Sequence, residues 1–251
     1  MKKLTFLSFL MIATLCIVSC NEDDPCVESI FYKDADGDGL GNPDSTVSAC
    51  EAPEGFVENA DDNDDTQALT DVVSGTVSNL FAPQTGGQGQ GPVSGDFTKF
   101  DFDTQSITDS DSDWDIAFRA TTIIVNGGVS QGATDEPTRT SDAAAYIVSD
   151  ALFSEVTSVD DAQFDQDEVA ELAIPSGSDN GWYNYNFMTN VVSPLAGKVL
   201  VFRTTEGLYA KVEILSYYEN APAVPDGFMD TPRYYTFNYT YQPNNNITVF
   251  E

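Results

Sequence analysis

Residues 197–218 read GKVLVFRTTEGLYAKVEILSYY, and this stretch decides the fold class. Two runs rich in Val, Leu, Ile and aromatic residues flank Thr204-Thr205-Glu206-Gly207, a short connection that ends in a glycine able to adopt a positive φ. Apolar and charged residues alternate through AKVEI at 210–214, so Lys211 is predicted to lie on a face that meets water. The stretch therefore predicts a β-hairpin at the centre of an antiparallel, mainly β domain.

The composition is globular but strongly acidic. The 251 residues include 41 Asp and Glu against 10 Lys and Arg, for a formal charge of −31. Such a surface repels a phosphate backbone, so nucleic acid is excluded as a partner. Two interpretations of the charge stay open: solubility outside the cell, and capture of cations by local carboxylate clusters.

The N-terminus has the pattern of an export signal. Residues 1–20 begin with Lys2 and Lys3, continue as an apolar run and end in Ser19 and Cys20. The last four residues, IVSC, resemble a bacterial lipobox, which implies cleavage before Cys20 and lipidation of its thiol. Ordinary secretion, with a cysteine there by chance, is the alternative.

The four residues after Cys20, NEDD, look like the acidic surface-export tag of Bacteroidota-type lipoproteins. That likeness implies a lipid-anchored protein of the outer membrane that faces the cell exterior. We expect three segments: a signal at 1–20, an acidic module at 21–68 and a β domain at 69–251.

Cysteine and histidine usage limits the chemistry. Cys16 leaves with the signal and Cys20 would carry lipid, so Cys26 and Cys50 remain, and a disulfide between them is the default in an oxidising compartment. The chain has no histidine, which disfavours zinc sites and the usual nucleophilic catalysis. No pair of carboxylates is singled out for glycoside chemistry either, so we do not expect an enzyme.

Carboxylates recur at every second residue in the acidic module. Asp34, Asp36 and Asp38 alternate with other residues, and glycines permit a tight turn around one hard cation. The opening is similar to an EF-hand loop, but its twelfth position is Ser45, where a bidentate Glu is needed. A standard EF-hand is therefore excluded.

A second acidic cluster, DDNDD at 61–65, follows after ACEAPEGFVENA at 49–60. Together with DADGDGLGNP at 34–43 it resembles a metal-binding motif of bacterial surface proteins, related in style to thrombospondin type-3 calcium repeats. Asn63 stands where that motif has a second cysteine. The resemblance implies calcium ligands at Asp34, Asp36, Asp38, Asp61, Asp62 and Asp64. The alternative is a solvated acidic spacer.

The rest of the chain has mainly β character. Strands are predicted at 97–102, 182–188 and 234–241, and the segments 113–119 and 121–125 are predicted to form a strand pair or one bent strand. Trp114, Ile116 and Phe118 should share one face. Loops are predicted at 83–92 and 131–142, a short helix within 160–172, and either helix or strand within 143–153.

Several separated motifs carry a family resemblance. WDIAFR with TTIIVNGG, then EPTRT, WYNYN, GLYAKVEILSYY and YYTFNYTYQPN occur in this order within residues 75–245. The order resembles the HmuY family of haem-binding surface lipoproteins. This resemblance implies an all-β domain in which haem lies between loops, held by two axial side chains, His in the founding type and Met in some relatives.

The residues that could hold haem follow from this resemblance. Thr189 and Asn190 occupy the place after WYNYN where a His would stand, and Met188 and Met229 are the soft sulfur donors outside the signal. The alternative is that Met188 fills the core and Met229 sits on a loop. Aromatic side chains could stack on a flat ligand or donate to iron, and basic ones could pair with propionates: Tyr183, Tyr185, Tyr217, Tyr218, Tyr234, Tyr235, Lys198, Arg203 and Arg233.

Two functions therefore compete. The first is a hemophore-like surface lipoprotein that captures haem or a related tetrapyrrole and passes it to a TonB-type transporter of the outer membrane, with a calcium-binding motif in front. The second is a calcium-stabilised surface or adhesion module that keeps an HmuY-like fold without haem binding.

Overall fold

A computed structural model describes residues 26–62, 64–87 and 89–250. The predicted signal, the lipidation site Cys20 and the acidic tag lie outside the described residues. The chain divides into two compact units, one ending at Gln67 and one beginning at Ala68. Among the described residues, none of the helices has the length and apolar character needed to span a bilayer.

The N-terminal unit is built on a small antiparallel sheet. Its strands are β1 (Ser29–Lys33), β2 (Asn42–Ala49) and β3 (Phe56–Val57), in the order β2-β1-β3. Phe31 on the central strand is buried. A disulfide joins Cys26 and Cys50, whose Cα atoms lie 5.6 Å apart. The acidic stretches are the loops between and after these strands.

The larger unit consists of antiparallel sheets. A five-stranded sheet has the order β4-β14-β13-β12-β9, a four-stranded sheet the order β6-β5-β7-β8, and β10 pairs with β11. The mainly β, antiparallel prediction is confirmed. The strands are β4 (Val73–Phe81), β5 (Thr98–Asp101), β6 (Ser106–Thr108), β7 (Ile116–Arg119), β8 (Thr122–Val125), β9 (Ala144–Ser149), β10 (Tyr183–Asn186), β11 (Val191–Pro194), β12 (Lys198–Arg203), β13 (Tyr209–Tyr218) and β14 (Pro232–Gln242).

The predicted hairpin is present as β12 and β13, and β13 is the middle strand of the five. Phe202 pairs with Ala210 in the register. The connection closes through hydrogen bonds from the Thr204 amide to the Leu208 carbonyl (2.8 Å) and from the Gly207 amide to the Thr204 carbonyl (3.0 Å). Gly207 has φ +83°, a conformation that glycine adopts without steric cost.

Aromatic rings dominate the main core. Phe237 on β14 packs 5.6 Å from Phe100 and 5.8 Å from Phe118, measured between ring centroids, and Trp182 packs 5.1 Å from Tyr235. Rings at these separations gain both buried area and edge-to-face or offset contact. Aromatic contacts therefore join the five-stranded sheet to the four-stranded sheet.

The second face of the hairpin is also covered, so the prediction that Lys211 meets water is wrong. Lys211 is 5% exposed, and its Nζ donates to the carbonyls of Phe153 (2.9 Å) and Val156 (2.7 Å). A 3-10 turn at Phe153–Glu155 and the C-terminal Phe250 pack on this face, where they contribute to a second hydrophobic cluster. These covering segments are distant in sequence, so alternation within β13 gave no sign of them.

Asp115 joins two sheets. Its carboxylate accepts hydrogen bonds from the amide of Phe102, just after β5, and from the amide of Thr205, in the β12–β13 turn (2.8 and 2.7 Å). The hydroxyl of Thr205 also donates to the Trp114 carbonyl (2.7 Å). The side chain of Asp115 is 1% exposed. The hairpin turn is therefore held directly to the four-stranded sheet.

Two local predictions need correction, and one open alternative is decided. Trp114 does not share the face of Ile116 and Phe118, because it lies before β7 and packs in a separate cluster with Ala117. The helix expected within 160–172 is reduced to a single 3-10 turn at Asp161–Gln163. Within 143–153 the ambiguity resolves to strand β9.

The loop at 131–142 contains isolated β-bridges but no strand, and buried ion pairs hold it in place. The Arg139 guanidinium lies 2.7 Å from Glu136 and 2.9 Å from Asp167, and all three side chains are almost fully buried. The Arg119 guanidinium also donates to the Thr134 carbonyl (2.6 Å). A polar sequence is therefore held in place by buried charge.

Candidate functional site

Met188 lies in the tight turn that connects β10 to β11. The Asn186 side chain caps this turn by accepting a hydrogen bond from the Met188 amide (2.9 Å), and Asn190 closes it with φ +57°. Asparagine tolerates this left-handed conformation better than most residues do. The turn therefore projects Phe187 and Met188 away from the sheet, and neither belongs to the core.

Met229 lies in a second turn, between β13 and β14. The Asp226 carboxylate accepts a hydrogen bond from the Phe228 amide (2.9 Å), and the Asp226 carbonyl accepts from the amides of Met229 (3.2 Å) and Asp230 (2.9 Å). In return the Asp226 amide donates to the Asp230 carboxylate (2.7 Å). This turn is thus fixed by its own backbone and projects Phe228 and Met229.

The two turns touch each other. The side-chain amide of Asn190 donates to the Gly227 carbonyl (2.7 Å), and the Asn190 carboxamide oxygen accepts from the Tyr185 hydroxyl (2.7 Å). A Cβ atom at Gly227 would collide with the Asn190 carbonyl, so glycine permits this close approach. Met188 and Met229, each two residues from this contact, are therefore held on neighbouring turns although they are 41 positions apart in the sequence.

Both turns present the same pair of residues, a phenylalanine followed by a methionine. Phe187, Met188, Phe228 and Met229 are 79%, 74%, 75% and 82% exposed, and we call these four residues the Phe-Met tip. The interpretation that Met188 fills the core is wrong. Exposed apolar side chains that lie together on a domain surface are typical of binding sites, so the tip is a candidate site. Sequence reasoning missed Phe187 and Phe228, although the repeated Phe-Met pair was a signal.

Most of the tyrosines considered as iron donors are buried in the hydrophobic core. Tyr183, Tyr217 and Tyr235 pack around Trp182 in the core, and burial raises the pKa of Tyr217 and Tyr235 above the ordinary range. A buried neutral phenol is a poor anionic ligand. These rings support the base of the β10–β11 hairpin and do not supply a donor.

The basic residues considered for propionates also have partners. Lys198 donates to the Ser149 hydroxyl (2.7 Å), Arg203 to the Asp142 carbonyl (2.9 Å) and Arg233 to the Gln84 carbonyl (2.6 Å). These contacts are with groups outside the Phe-Met tip. The tip therefore offers thioether sulfur and aromatic rings, which suit a flat apolar ligand that carries a soft metal centre.

The N-terminal unit brings part of the predicted carboxylate set together. Oxygens of Asp36, Asp38 and Asp62 lie within 4.8 Å of one another, and those of Asp34, Asp36 and Asp65 do the same. Two oxygens on opposite sides of one Ca²⁺ lie about 4.6–5.2 Å apart, because each ligand is about 2.3–2.6 Å from the ion. The oxygens of each group are therefore close enough to contact one cation, and Asp36 is common to both groups.

Two carboxylate oxygens in these groups are buried and accept no hydrogen bond from the residues that the structure describes. Asp62 is 2% exposed; its Oδ1 accepts from the Asp64 amide (2.7 Å), whereas its Oδ2 finds no hydrogen-bond partner among the residues that the structure describes. The same is true of Asp36 Oδ2. Removal from water raises the pKa of Asp36, and the neighbouring carboxylates raise it further. A cation between these oxygens would relieve both penalties.

Asp61 and Asp64 are not in either group. Asp61 is exposed, and the Asp64 carboxylate accepts from the Thr66 hydroxyl. Asp65 is in a group instead, and its Oδ1 also accepts from the Ala35 amide. Sequence reasoning noticed the acidic run at 61–65 but missed Asp65, because adjacent carboxylates in a turn are indistinguishable without the backbone path.

Comparison with known families places the larger unit. The profile of the family described as HmuY protein matches residues 94–239, which is more than half of the chain. The chain belongs to the HmuY family. The HmuY match contains the central hairpin and both turns of the Phe-Met tip, and it does not include the N-terminal acidic unit. No curated protein matches the sequence.

Solved structures of HmuY-like proteins resemble the chain at low identity. The apo HmuY analogue (TFO) of Tannerella forsythia is 14% identical, covers 71% of this chain and 100% of its own, and has a TM-score of 0.44. A candidate lipoprotein of Bacteroides fragilis is 16% identical over 69% and 90% of the two chains, with a TM-score of 0.41. A candidate HmuY-like haem-binding protein of Bacteroides vulgatus is 16% identical over 70% and 97%, with a TM-score of 0.40.

Proposed function

We propose that this HmuY-family chain is a surface lipoprotein that binds haem, or a related tetrapyrrole, through the Phe-Met tip. The protein would be anchored in the outer membrane through a lipid on Cys20 and would act as a hemophore that delivers its ligand to a TonB-type transporter. The observation that carries the proposal is the contact between the two turns that bear Met188 and Met229, both of which are exposed.

The donor set suits haem. Thioethers are established axial ligands of haem iron and favour a high reduction potential, and a flat macrocycle is matched by aromatic rings. Met188 and Met229 would supply the two sulfur donors, while Phe187 and Phe228 would contact the macrocycle and exclude water from it. When bound, haem supplies the iron chemistry; the chain itself contributes binding and orientation.

Preorganisation is the main contribution of the fold. The Asn186 and Asp226 caps fix each turn separately, and the hydrogen bond from Asn190 to the Gly227 carbonyl fixes one turn against the other. Ordering two flexible loops on binding would lower the affinity, and these hydrogen bonds supply that order in advance. Ligand capture therefore needs little rearrangement of the backbone.

Titration of the mature protein with haemin, followed by absorption spectra of the oxidised and reduced forms, tests this proposal. We expect a saturable Soret change. Disturbing even an outer partner of a metal ligand costs about 10- to 100-fold in affinity, so Met188→Leu and Met229→Leu should each cost roughly tenfold or more. Leu152→Ala, at another exposed apolar residue, is the control and should bind as the wild type does. A flat titration would contradict the proposal.

A second function is favoured by the unpartnered oxygens of Asp36 and Asp62. We propose that the N-terminal unit binds calcium through Asp34, Asp36, Asp38, Asp62 and Asp65. Bound calcium would neutralise carboxylates that repel one another and would stabilise the loops of this unit. If haem binding fails, the alternative is a calcium-stabilised surface or adhesion module that has lost haem binding.

Calorimetric titration with calcium chloride tests the second function. We expect saturable heat from the wild type and its loss in Asp62→Asn, which removes the charge at the buried position. Asp44→Asn is the matched control, because Asp44 lies in the same unit, is exposed and belongs to neither carboxylate group. Equal heats from both variants would contradict the assignment.

The lipid anchor has a separate test. Mass spectrometry of the protein purified from its own membranes should find an N-terminal lipid-modified Cys20. An unmodified, freely secreted N-terminus would remove the anchoring proposal without affecting either binding site.

A further inference from the structure

The Phe-Met tip holds all the thioether sulfur of residues 21–251. The chain has four methionines, and Met1 and Met11 lie in the predicted signal. The other two, Met188 and Met229, are 74% and 82% exposed. The described cysteines, Cys26 and Cys50, are joined in a disulfide. Any two-electron oxidant that meets the folded, mature protein therefore finds its accessible thioethers within the candidate ligand site.

We infer that Met188 and Met229 are oxidative modification sites, and that their conversion to sulfoxides by peroxides switches off ligand binding at the Phe-Met tip. The inference rests on the proposed haem function for its consequence. The modification itself depends only on the exposure of the two sulfur atoms. The oxidised, ligand-free tip would then refuse its ligand under peroxide stress.

The chemistry is a single oxygen transfer at each sulfur. A lone pair of the thioether attacks one oxygen of hydrogen peroxide, the O–O bond breaks and an S–O bond forms. The leaving hydroxide takes the proton of the transferred hydroxyl and departs as water. Sulfur loses two electrons and the peroxide gains them, so no other reactant is needed.

Oxidation changes the two properties that the site uses. It removes the soft donor character of the sulfur, and it places a polar, hydrated oxygen beside Phe187 and Phe228. Both changes oppose contact with a flat apolar ligand. The hydrogen bonds that shape the turns come from Asn186, Asn190 and Asp226, which the oxidant leaves intact.

The fold should tolerate the modification. The methionine side chains are outside the hydrophobic clusters of the larger unit, so the added oxygens enter water and not the core. Methionine sulfoxide reductases reverse the reaction at both epimers. The change is therefore reversible, which distinguishes a switch from damage.

The test separates oxidation, binding and folding. The mature protein is treated with hydrogen peroxide in the absence of haemin, the peroxide is removed with catalase, and peptide mass spectrometry counts one added oxygen at each methionine. Haemin titrations then compare untreated, oxidised and reductase-repaired protein. We expect the oxidised form to lose roughly tenfold or more in affinity, since it loses the character of two ligands, and the repaired form to regain it. Urea unfolding should be the same for all three.

Each other outcome is decisive. If the untreated protein fails to bind haemin, both the proposed function and the switch are overturned. If fully oxidised protein binds haemin as well as untreated protein does, the switch is overturned and the proposed function stands. If binding is lost but repair with MsrA and MsrB does not restore it, the loss comes from another lesion and the switch is overturned. Met188→Leu and Met229→Leu each leave one oxidisable sulfur. Oxidising each variant therefore shows which turn carries the loss of haemin affinity.

Discussion

The interior of the larger unit and the Phe-Met tip use the same types of residue under opposite conditions. Phe118 and Phe237 are fully buried and pack 5.8 Å apart, whereas Phe187 and Phe228 are 79% and 75% exposed. The interior rings gain their stabilising energy when the chain folds. The exposed rings of the tip would gain comparable energy only if a ligand or a partner covered them and removed them from water. Burial therefore separates residues that maintain the fold from residues available for binding.

The largest expected effect on the free energy of unfolding comes from removing an interior ring, which sharpens this comparison. Phe237→Ala should lower the free energy of unfolding by about 3–5 kcal/mol, because the deleted ring leaves a cavity between Phe100 and Phe118. Urea unfolding measures this, and Phe237→Leu should cost less. Haemin affinity of the folded fraction should stay at the wild-type value. A loss below about 1 kcal/mol would show that the core is not close-packed here.

The second effect concerns the buried carboxylate that joins two sheets. Burial raises the pKa of Asp115 to about 7, from an ordinary value of 3.8, although two backbone amides donate to it and lower the shift. The folded state thus holds the proton more tightly than the unfolded state does. The stabilising contribution is complete below pH 3.8 and is lost as the pH rises to 7, by about 4 kcal/mol in total at 1.36 kcal/mol per pKa unit.

Urea unfolding at pH 5 to 8, compared between the wild type and Asp115→Asn, checks this prediction. The asparagine does not titrate, so its stability should change less over this range. A wild-type curve no steeper than that of the variant would contradict the assignment. Haemin affinity should not follow the titration, because Asp115 is in the interior.

The third effect is the removal of a buried charge with partners. Lys211→Met keeps most of the side-chain volume but leaves the carbonyls of Phe153 and Val156 without the ammonium donor. Leaving buried polar groups unsatisfied should cost about 1–3 kcal/mol in the free energy of unfolding. Lys198→Met, at a half-buried lysine on the neighbouring strand, is the control and should cost less. If the two variants lost the same free energy of unfolding, the burial of Lys211 and its two hydrogen bonds would be contradicted.

The smallest effect is the one that would break the comparison. Phe228→Ala and Met188→Leu should change the free energy of unfolding by no more than about 0.5 kcal/mol, because exposed side chains away from caps contribute little. Thermal and urea unfolding measure this. A loss above about 2 kcal/mol in either variant would mean that the tip is part of the core, and its availability for a ligand would no longer follow from the structure.

Local patterns predicted the strands and left the covering segments undetermined. The β12–β13 hairpin follows from alternation and from Gly207, both of which act over a few residues. The burial of Lys211 depends on Phe153 and Phe250, which are about 40–60 positions away in the chain and carry no periodic signal. Strand existence was thus accessible from the sequence, whereas the number of covered faces was not.

The candidate sites show the same limit. Composition identified Met188 and Met229 as the available sulfur donors, but their exposure and the contact between their turns depend on a hydrogen bond between Asn190 and Gly227 that spans 37 positions. In the acidic unit the residue types were evident, and the choice of Asp65 over Asp64 depended on the path of the backbone through the turn. Chemistry was readable from residue type, and geometry required the fold.

Basic side chains are scarce in this chain, and several of them are buried. Lys211 and Arg119 are each 5% exposed, and the side chain of Arg139 is 2% exposed because it pairs with Glu136 and Asp167. An endoprotease that cleaves after lysine or arginine needs both the side chain and an extended backbone segment in its cleft. Lys211 lies in β13 and Arg119 in β7, and at these two positions neither the side chain nor the backbone is accessible in the folded unit. Cleavage at Lys211 and Arg119 must therefore wait for the fold to open, so its rate follows the population of the opened form.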